Sequence, residues 1–524
     1  MTGTAFNLLT DPLIEVDIGT GERQWTSLPK VLELLGDDHE IEFPDLQAHH
    51  RHPWHAFMVQ LAGLALIRAR KDSPRQSADD WRRWLQILAP APAWCLVNSN
   101  FQEPAFLQPP VPENHLAKLK NKTPFPDQLD ILVTAKNHEV KAHTIDLSAP
   151  LDLARKALPQ LITYQTFSGF GGRALYGVSR MNGGFSSRSC VAFYHSHSWN
   201  HRFSKDLLRL LEHRDSVLED FDYLEDEEHA LLWLLPWGGK ADEVLSIAEL
   251  DPFFIEICRR VRLTLEENQL IIHQGSSQAA RVDAKELKGN LGDLWTPIRR
   301  KDLAALTVSD RGFNYRLITQ LLLEDDVFEP APAQTLGVRS QDTIAFFSAL
   351  VRGQGKTGGF HERSVPIPVA VVDRLTDARK QEIGSVARKR IEIASETRIK
   401  VLKLSLLALA QGGIEWKKLD FTDDSGNPWL NTFDSEVDRV FFDRLFAEVD
   451  LPPEERDARW QTQLKQFAQK TFRDAAQVLP RRDALRIAAE IDAEFLFNLK
   501  IKEILPFAGL VGKAKPKSFE EGKG

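Results

Sequence analysis

Residues 460–478, WQTQLKQFAQKTFRDAAQV, place Trp460, Leu464, Phe467, Thr471, Ala475 and Val478 on one face of a helix. In the next segment Ile487, Ile491, Phe495 and Leu499 recur at the same spacing, and Pro452, Pro453, Pro480 and Pro506 punctuate the boundaries. Upstream, residues 377–411 and 436–451 complete a run of four helical segments at about 377–411, 436–451, 454–479 and 483–504. Short connections between one-sided apolar helices predict an antiparallel four-helix bundle over 374–510. The tail 511–524, with Lys513, Lys515, Lys517 and Lys523 among small residues, reads as a disordered basic extension.

Before residue 374 the patterning is mixed. Leu13 to Asp17 suggests a short strand, Ser27 to Leu35 a helix with Pro29 in its first turn, and His55 to Arg70 a longer apolar helix. Another helix covers Ala78 to Leu88, and the proline-rich stretch Asn98 to Pro126 reads as irregular surface chain. Ile255, Ile257, Val261, Leu263 and Leu265 alternate, and Leu270 and Ile272 follow the polar Glu266 to Asn268, which predicts a β-hairpin. The expected fold class is α+β, a large mixed α/β domain over 1–373 followed by the bundle.

At 524 residues with 43% hydrophobic content the chain can bury at least two cores. Its formal charge of −8 provides no global field for nucleic acid, so any such contact must use local basic loops. Cys95, Cys190 and Cys258 are too far apart in sequence for a disulfide framework or a zinc ribbon, and suggest buried thiols in a reducing cytoplasm. Neither a signal peptide nor a bilayer-spanning apolar run is visible, so a cytoplasmic protein without membrane contact is expected.

The search for chemistry yields few candidates. Gly355-Lys356-Thr357 imitates a phosphate-binding loop, which leaves a nucleotide-hydrolysing enzyme as an alternative. Against it, position 350 is Leu350 rather than glycine, and Gly358, Gly359, Pro366 and Pro368 disfavour the required helix. His49, His50, His52 and His55 beside Asp45 lack the HExxH spacing, with Pro53 separating most of them from the next helix, and read as polar residues at a helix entry. His195 and His197 share a strand face without a recognisable third ligand. No cofactor, metal or catalytic residue is expected. The glycines from Gly169 to Gly184 do not follow the dinucleotide fingerprint, yet they let backbone approach another molecule closely.

Several segments together resemble one family, the CasA large subunit of the type I-E CRISPR surveillance complex, Cascade. They are Phe6-Asn7-Leu8-Leu9-Thr10-Asp11-Pro12-Leu13, Pro104-Ala105-Phe106-Leu107-Gln108-Pro109, Leu132-Val133-Thr134-Ala135-Lys136-Asn137-His138, Gly169-Phe170-Gly171-Gly172 and Leu294-Trp295. The resemblance implies a non-catalytic subunit that inspects double-stranded DNA for a short flanking motif, the PAM, before guide RNA pairing. It also implies other Cascade subunits and a separate helicase-nuclease as partners.

By position, Gly169, Phe170, Gly171 and Gly172 resemble the glycine loop that lies against the PAM. Lys136, Asn137 and His138 resemble the loop at the guide 5′ end and the PAM-proximal region, and Lys288, or else Lys285, the lysine finger of the minor groove. The Gly353 to Gly359 loop, with Gln354, Lys356 and Thr357, resembles the wedge that opens the duplex. Arg299, Arg300 and Lys301, and Arg388 to Arg390 on the bundle, are candidate phosphate contacts. A purely structural scaffold that touches no DNA is the remaining alternative.

Overall fold

The computed structural model describes residues 3–19, 21–37, 39–132, 149–167, 186–224, 229–335, 342–353, 356–372, 376–411, 418–478 and 486–510. The chain divides into two compact units, Met1–Phe313 with Asp325–Val369, and Asn314–Glu324 with Ala370–Gly524. The fold is α+β, with helices and small sheets in the first unit and helices in the second.

The core of the first unit forms around the helix Ala48–Ala69, which packs on the helices Ala78–Leu88, Pro150–Thr166 and Trp199–Asp220. It is buried on nearly all sides, including the polar Gln60, so it carries no polar stripe for solvent. It closes at Arg70, whose left-handed backbone (φ 54°) lets its N–H reach the carbonyls of Leu66 and Ile67.

This helix begins earlier than expected. Pro53 lies inside it rather than ahead of it, so His49, His50, His52 and His55 are all helical, and all four are buried. Pro53 lies past the first turn, so its ring forgoes one helical hydrogen bond, to the His49 carbonyl, a cost that the dense packing around this helix offsets.

Among the described residues the first unit carries three three-stranded antiparallel sheets and three two-stranded ones, and two of the three-stranded sheets are large. In one, Gln269–Gly275 lies between Arg260–Glu266 and Asn121–Thr123. Its hairpin turns at Glu267 and Asn268, both at positive φ (50° and 61°), the handedness that matches strand twist in a two-residue loop. The expected strand began at Ile255, but regular pairing starts at Arg260; Ile255 makes an isolated bridge to Leu231 instead. In the other sheet Thr343–Gly353 lies between Ser186–Tyr194 and Lys356–Ile367. His195 comes just after the end of its strand, and its ring Nδ1 lies 3.1 Å from the Asp342 carbonyl oxygen.

The irregular stretch after Asn98 is not all surface. Ala105 to Val111 is buried, and it wraps a buried arginine, Arg262, that donates to five of the stretch's carbonyls. Cys95, Cys190 and Cys258 are buried and form no disulfide.

In the second unit a helix runs over Asp377–Glu396, passes through a π-helical stretch Thr397–Lys403 and continues over Leu404–Gln411. It packs with Asn427–Glu448, Pro453–Val478 and Arg486–Ile504, and the short helix Tyr315–Leu323 joins them from the middle of the chain. Trp460, Leu464, Thr471 and Ala475 are buried as their spacing predicts, although Val478 at the helix end is exposed.

The last helix departs from expectation. Ile487, Ile491, Phe495 and Leu499 are 74%, 63%, 65% and 50% exposed, whereas Ala489, Ala493, Leu496, Phe497 and Ile501 are buried. Both faces are apolar. The face with two alanines allows a closer approach to Leu404–Gln411, and it sets Phe497 in a stack on Phe472 at 4.7 Å. Among the described residues no helix is long and apolar enough to cross a membrane. The tail 511–524 lies outside the described residues.

Candidate nucleic-acid interface

Lys288 sits where the backbone turns twice through positive φ, at Lys288 itself (51°) and at Gly289 (82°). The Lys288 N–H donates to the Lys285 carbonyl at 3.1 Å, which closes the turn. The Lys288 carbonyl in turn accepts the Ala305 N–H at 3.1 Å, attaching the turn to the antiparallel pair Ile298–Arg299 and Ala304–Ala305. This pairing explains why Lys288 and the Arg299 to Lys301 segment, eleven or more residues apart in sequence, share one surface. Lys285 is exposed on the same turn.

The charges in this group are not equivalent. Arg299 forms a two-pronged pair with the Asp302 carboxylate at 2.8 Å on each oxygen, and that pairing holds Asp302 below its ordinary pKa. Lys288 Nζ instead donates to the Asp302 backbone carbonyl at 3.2 Å, and its charge is a lesser contributor to the lowered Asp302 pKa. Arg300 donates to the Asp325 carbonyl at 2.6 Å and lies 3.6 Å from Glu329. Lys301 is exposed. Exposed cations on a small, fixed turn can contact phosphates, and Lys288 is held for this by backbone hydrogen bonds.

The Gly353 to Gly359 segment is a hairpin rather than a loose loop. Gly353 pairs with Lys356 and Arg352 with Thr357, so residues 354 and 355 join two long strands. Gln354 and Gly355 lie outside the described residues, as do the side chains of Lys356 and Thr357. From Lys356-Thr357 the chain runs on as strand to Ile367, and a phosphate-binding loop needs a helix there to present its N–H groups and dipole. The nucleotide-hydrolysing alternative therefore loses its structural basis.

Lys136, Asn137 and His138, and Gly169, Phe170, Gly171 and Gly172, lie outside the described residues. Their flanks are firmly anchored. Asp130, shortly before the first segment, meets His49 Nε2 at 3.0 Å and His50 Nε2 at 3.3 Å, and its other oxygen accepts the Leu132 N–H at 2.8 Å. Burial alone would raise the Asp130 pKa, but the two imidazoles hold it well below the carboxylate range.

After the glycine segment, buried Arg188 donates to Asp293 at 2.8 Å and to Gln60 at 3.0 Å, with its guanidinium 5.0 Å from the Phe167 ring centroid. Asp206 Oδ2 gathers His55 Nε2 at 2.8 Å, the Tyr194 hydroxyl at 2.7 Å and Trp295 Nε1 at 2.7 Å. None of Asp130, Asp206, Asp293 or Arg188 is distinguishable by sequence pattern, because each partner is remote in the chain. Of the bundle cations, Arg390 is buried against Glu448 at 2.6 Å with its guanidinium 5.1 Å from the Trp460 ring, so it is unavailable to phosphate. Lys389 is paired with Asp457, and Arg388 lies 3.8 Å from Glu324.

No family model matches the chain, and no curated protein matches it in sequence. Solved structures do match. Cse1 from Acidimicrobium ferrooxidans superposes over 96% of this chain and 98% of its own with a TM-score of 0.64 at 14% identity. Thermus thermophilus CasA (Cse1) covers 95% and 100% with a TM-score of 0.61 at 17% identity. This chain has the CasA (Cse1) fold. Thermobifida fusca Cse1 gives the same result, over 96% and 98% with a TM-score of 0.61 at 14% identity.

The segments that resemble the CasA family are, where described, parts of this fold's core. Asn7 and Asp11 close a turn in which the Asn7 N–H donates to Asp11 at 2.8 Å, burying Leu8, Leu9 and Leu13. Pro104 to Pro109 encloses Arg262, and Trp295 binds Asp206.

The CasA-fold core also carries a pH dependence. Burial pushes the His55 pKa below its ordinary value, and the Asp206 hydrogen bond only partly opposes it. Because the folded value lies below the unfolded one, near 6.5, His55 contributes stability above about pH 6.5 that is lost as pH falls further. The slope is about 1.4 kcal/mol per pH unit for each such group. Thermal midpoints measured from pH 8 to pH 5.5 are expected to fall through the acid half of that range, and to fall less steeply in His55→Gln. A flat wild-type profile counts against this account.

Proposed function

We propose that this chain is the non-catalytic large subunit of a type I-E Cascade complex, which recognises the PAM in double-stranded DNA and starts duplex opening for guide RNA pairing. The observation that carries this reading is the CasA fold over 95–96% of the chain. Its partners are the other Cascade subunits, guide RNA, target duplex and a helicase-nuclease recruited after binding. This chain reads shape and PAM while pairing reads sequence.

The assigned roles rest on the resemblance. Gly169 to Gly172 lies against the PAM, Lys136 to His138 meets the guide and PAM-proximal region, and Lys288 reaches the minor groove. Arg299, Arg300 and Lys301 add phosphate contacts, with Arg299 the weakest of them because Asp302 already occupies its fork. The wedge is the hairpin around Gln354, Lys356 and Thr357. Its last rungs are Arg352 with Thr357 and Gly353 with Lys356. A hairpin tip is suited to entering a base-pair step.

The test is a gel-shift titration of the assembled complex on duplexes that differ only in the flanking trinucleotide. Wild type is expected to prefer some flanks, and Gly171→Asp to abolish the preference by holding DNA away. Lys288→Ala is expected to weaken all duplexes severalfold and to reduce the slope of log K against log salt by about 1. Equal wild-type binding to every flank would leave the chain a scaffold.

A further inference from the structure

Two of the four histidines at the start of Ala48–Ala69, His50 and His52, bury ring nitrogens without a well-aligned hydrogen bond, and His50 does so beside a carboxylate. His50 is 2% exposed; its Nδ1 meets no partner, and its Nε2 has only a poorly aligned contact with Asp130. That Nε2 lies 3.3 Å from Asp130 Oδ2, and His49 Nε2 approaches the same oxygen at 3.0 Å. One nitrogen from each imidazole and one carboxylate oxygen lie within 4.8 Å of one another. The rings are tilted by 51° with centroids 4.0 Å apart, so they converge on the carboxylate rather than stack.

The geometry points to a divalent transition-metal site, of Zn2+ type, formed by His49, His50 and Asp130. Two imidazoles and a carboxylate suit Zn2+ in both softness and ligand type. Metal–ligand bonds of about 2.0–2.1 Å arranged tetrahedrally place neighbouring ligand atoms about 3.3 Å apart, close to both separations seen here. A purely hydrogen-bonded cluster fits less well, because it leaves His50 Nε2 poorly aligned on the carboxylate and Nδ1 buried without a partner, which is destabilising.

The Asp130 carboxylate is oriented as a ligand should be, since its second oxygen accepts the Leu132 N–H. Water would take the fourth position. The ion would tie the first turn of the core helix to the turn that leads into residues 133–148. Under the function proposed above, that segment carries the guide-contacting Lys136 to His138. The binding claim itself does not depend on that function.

The experiment uses the full chain without a polyhistidine tag, expressed in zinc-supplemented medium and examined without nucleic acid or partners. Elemental analysis is expected to find about one zinc per chain. Stripping with a chelator should lower the thermal midpoint by several degrees and added Zn2+ should restore it, as for any ligand of the folded state. Co2+ added to the stripped chain should give the visible absorption of a tetrahedral site, and His50→Gln should abolish it. If His50→Gln does not fold, the wild-type Co2+ spectrum and zinc stoichiometry decide. Absence of bound zinc together with a Zn2+-independent midpoint overturns the site, as do Co2+ bands that persist in a folded His50→Gln. Because DNA is absent, failure here is separable from failure of the PAM reading.

Discussion

Asp206→Ala is expected to destabilise the first unit by at least about 4 kcal/mol, more than any surface substitution in this chain. One carboxylate oxygen, fully buried, accepts from His55, Tyr194 and Trp295 at 2.7–2.8 Å. Hydrogen bonds to a charged acceptor are worth about 1.5–3 kcal/mol each, and their removal here leaves three buried donors without a partner. The sum is not simply additive because the three share one atom.

A second cost comes from Arg202. Its guanidinium is buried among the rings of Phe346, Tyr194 and Trp199 at 4.4, 4.9 and 5.7 Å, with Asp206 one of the negative charges acting on it. Removing that charge leaves the cation less compensated. Asp206→Asn should lose about half as much, since an amide oxygen retains two acceptor sites. Hydrogen exchange read by mass spectrometry would localise the effect to the first unit. Protection of Ala48–Ala69 and Trp199–Asp220 within about 1 kcal/mol of wild type in Asp206→Ala would refute it.

How legible each element is in the sequence depends on how local its signal is. The hairpin around Glu267-Asn268 and the proline-bounded helices of the second unit depend on residues within a few positions of one another, and all appear. The buried face of Arg486–Ile504 does not, because apolar residues lie on both sides and the choice between them rests on how closely alanines admit a neighbour. The histidine cluster misleads for a related reason. Proline at position 53 suggests a boundary, and the nearby Asp45 looks like the acidic partner, whereas Asp130 supplies it from 80 residues downstream. The core segments carry the family resemblance because the fold constrains them. The roles of Gly169 to Gly172 and Lys136 to His138 come from that resemblance alone, since a glycine run and a lysine have no period or spacing of their own.

Arg262→Met is the second large effect expected. The guanidinium is fully buried; Nη1 donates to the carbonyls of Glu103, Gln108 and Pro109, and Nη2 to those of Asn98 and Asn100, at 2.8–3.5 Å. Burial lowers its pKa to about 10, so it remains charged at neutral pH. An irregular segment cannot satisfy its own carbonyls as a helix or sheet does, and here one side chain does it for five of them. Methionine keeps much of the volume but donates nothing, which should cost about 3–5 kcal/mol and open the segment locally. Arg262→Lys should recover only part, because an ammonium has three donors and lacks the planar fork. The expected signature is faster amide exchange confined largely to Asn98–Val111 and the strand Arg260–Glu266. Wild-type exchange there in Arg262→Met would mean that Gln108, which bonds Leu96, Phe106 and Leu263, holds the segment without the arginine.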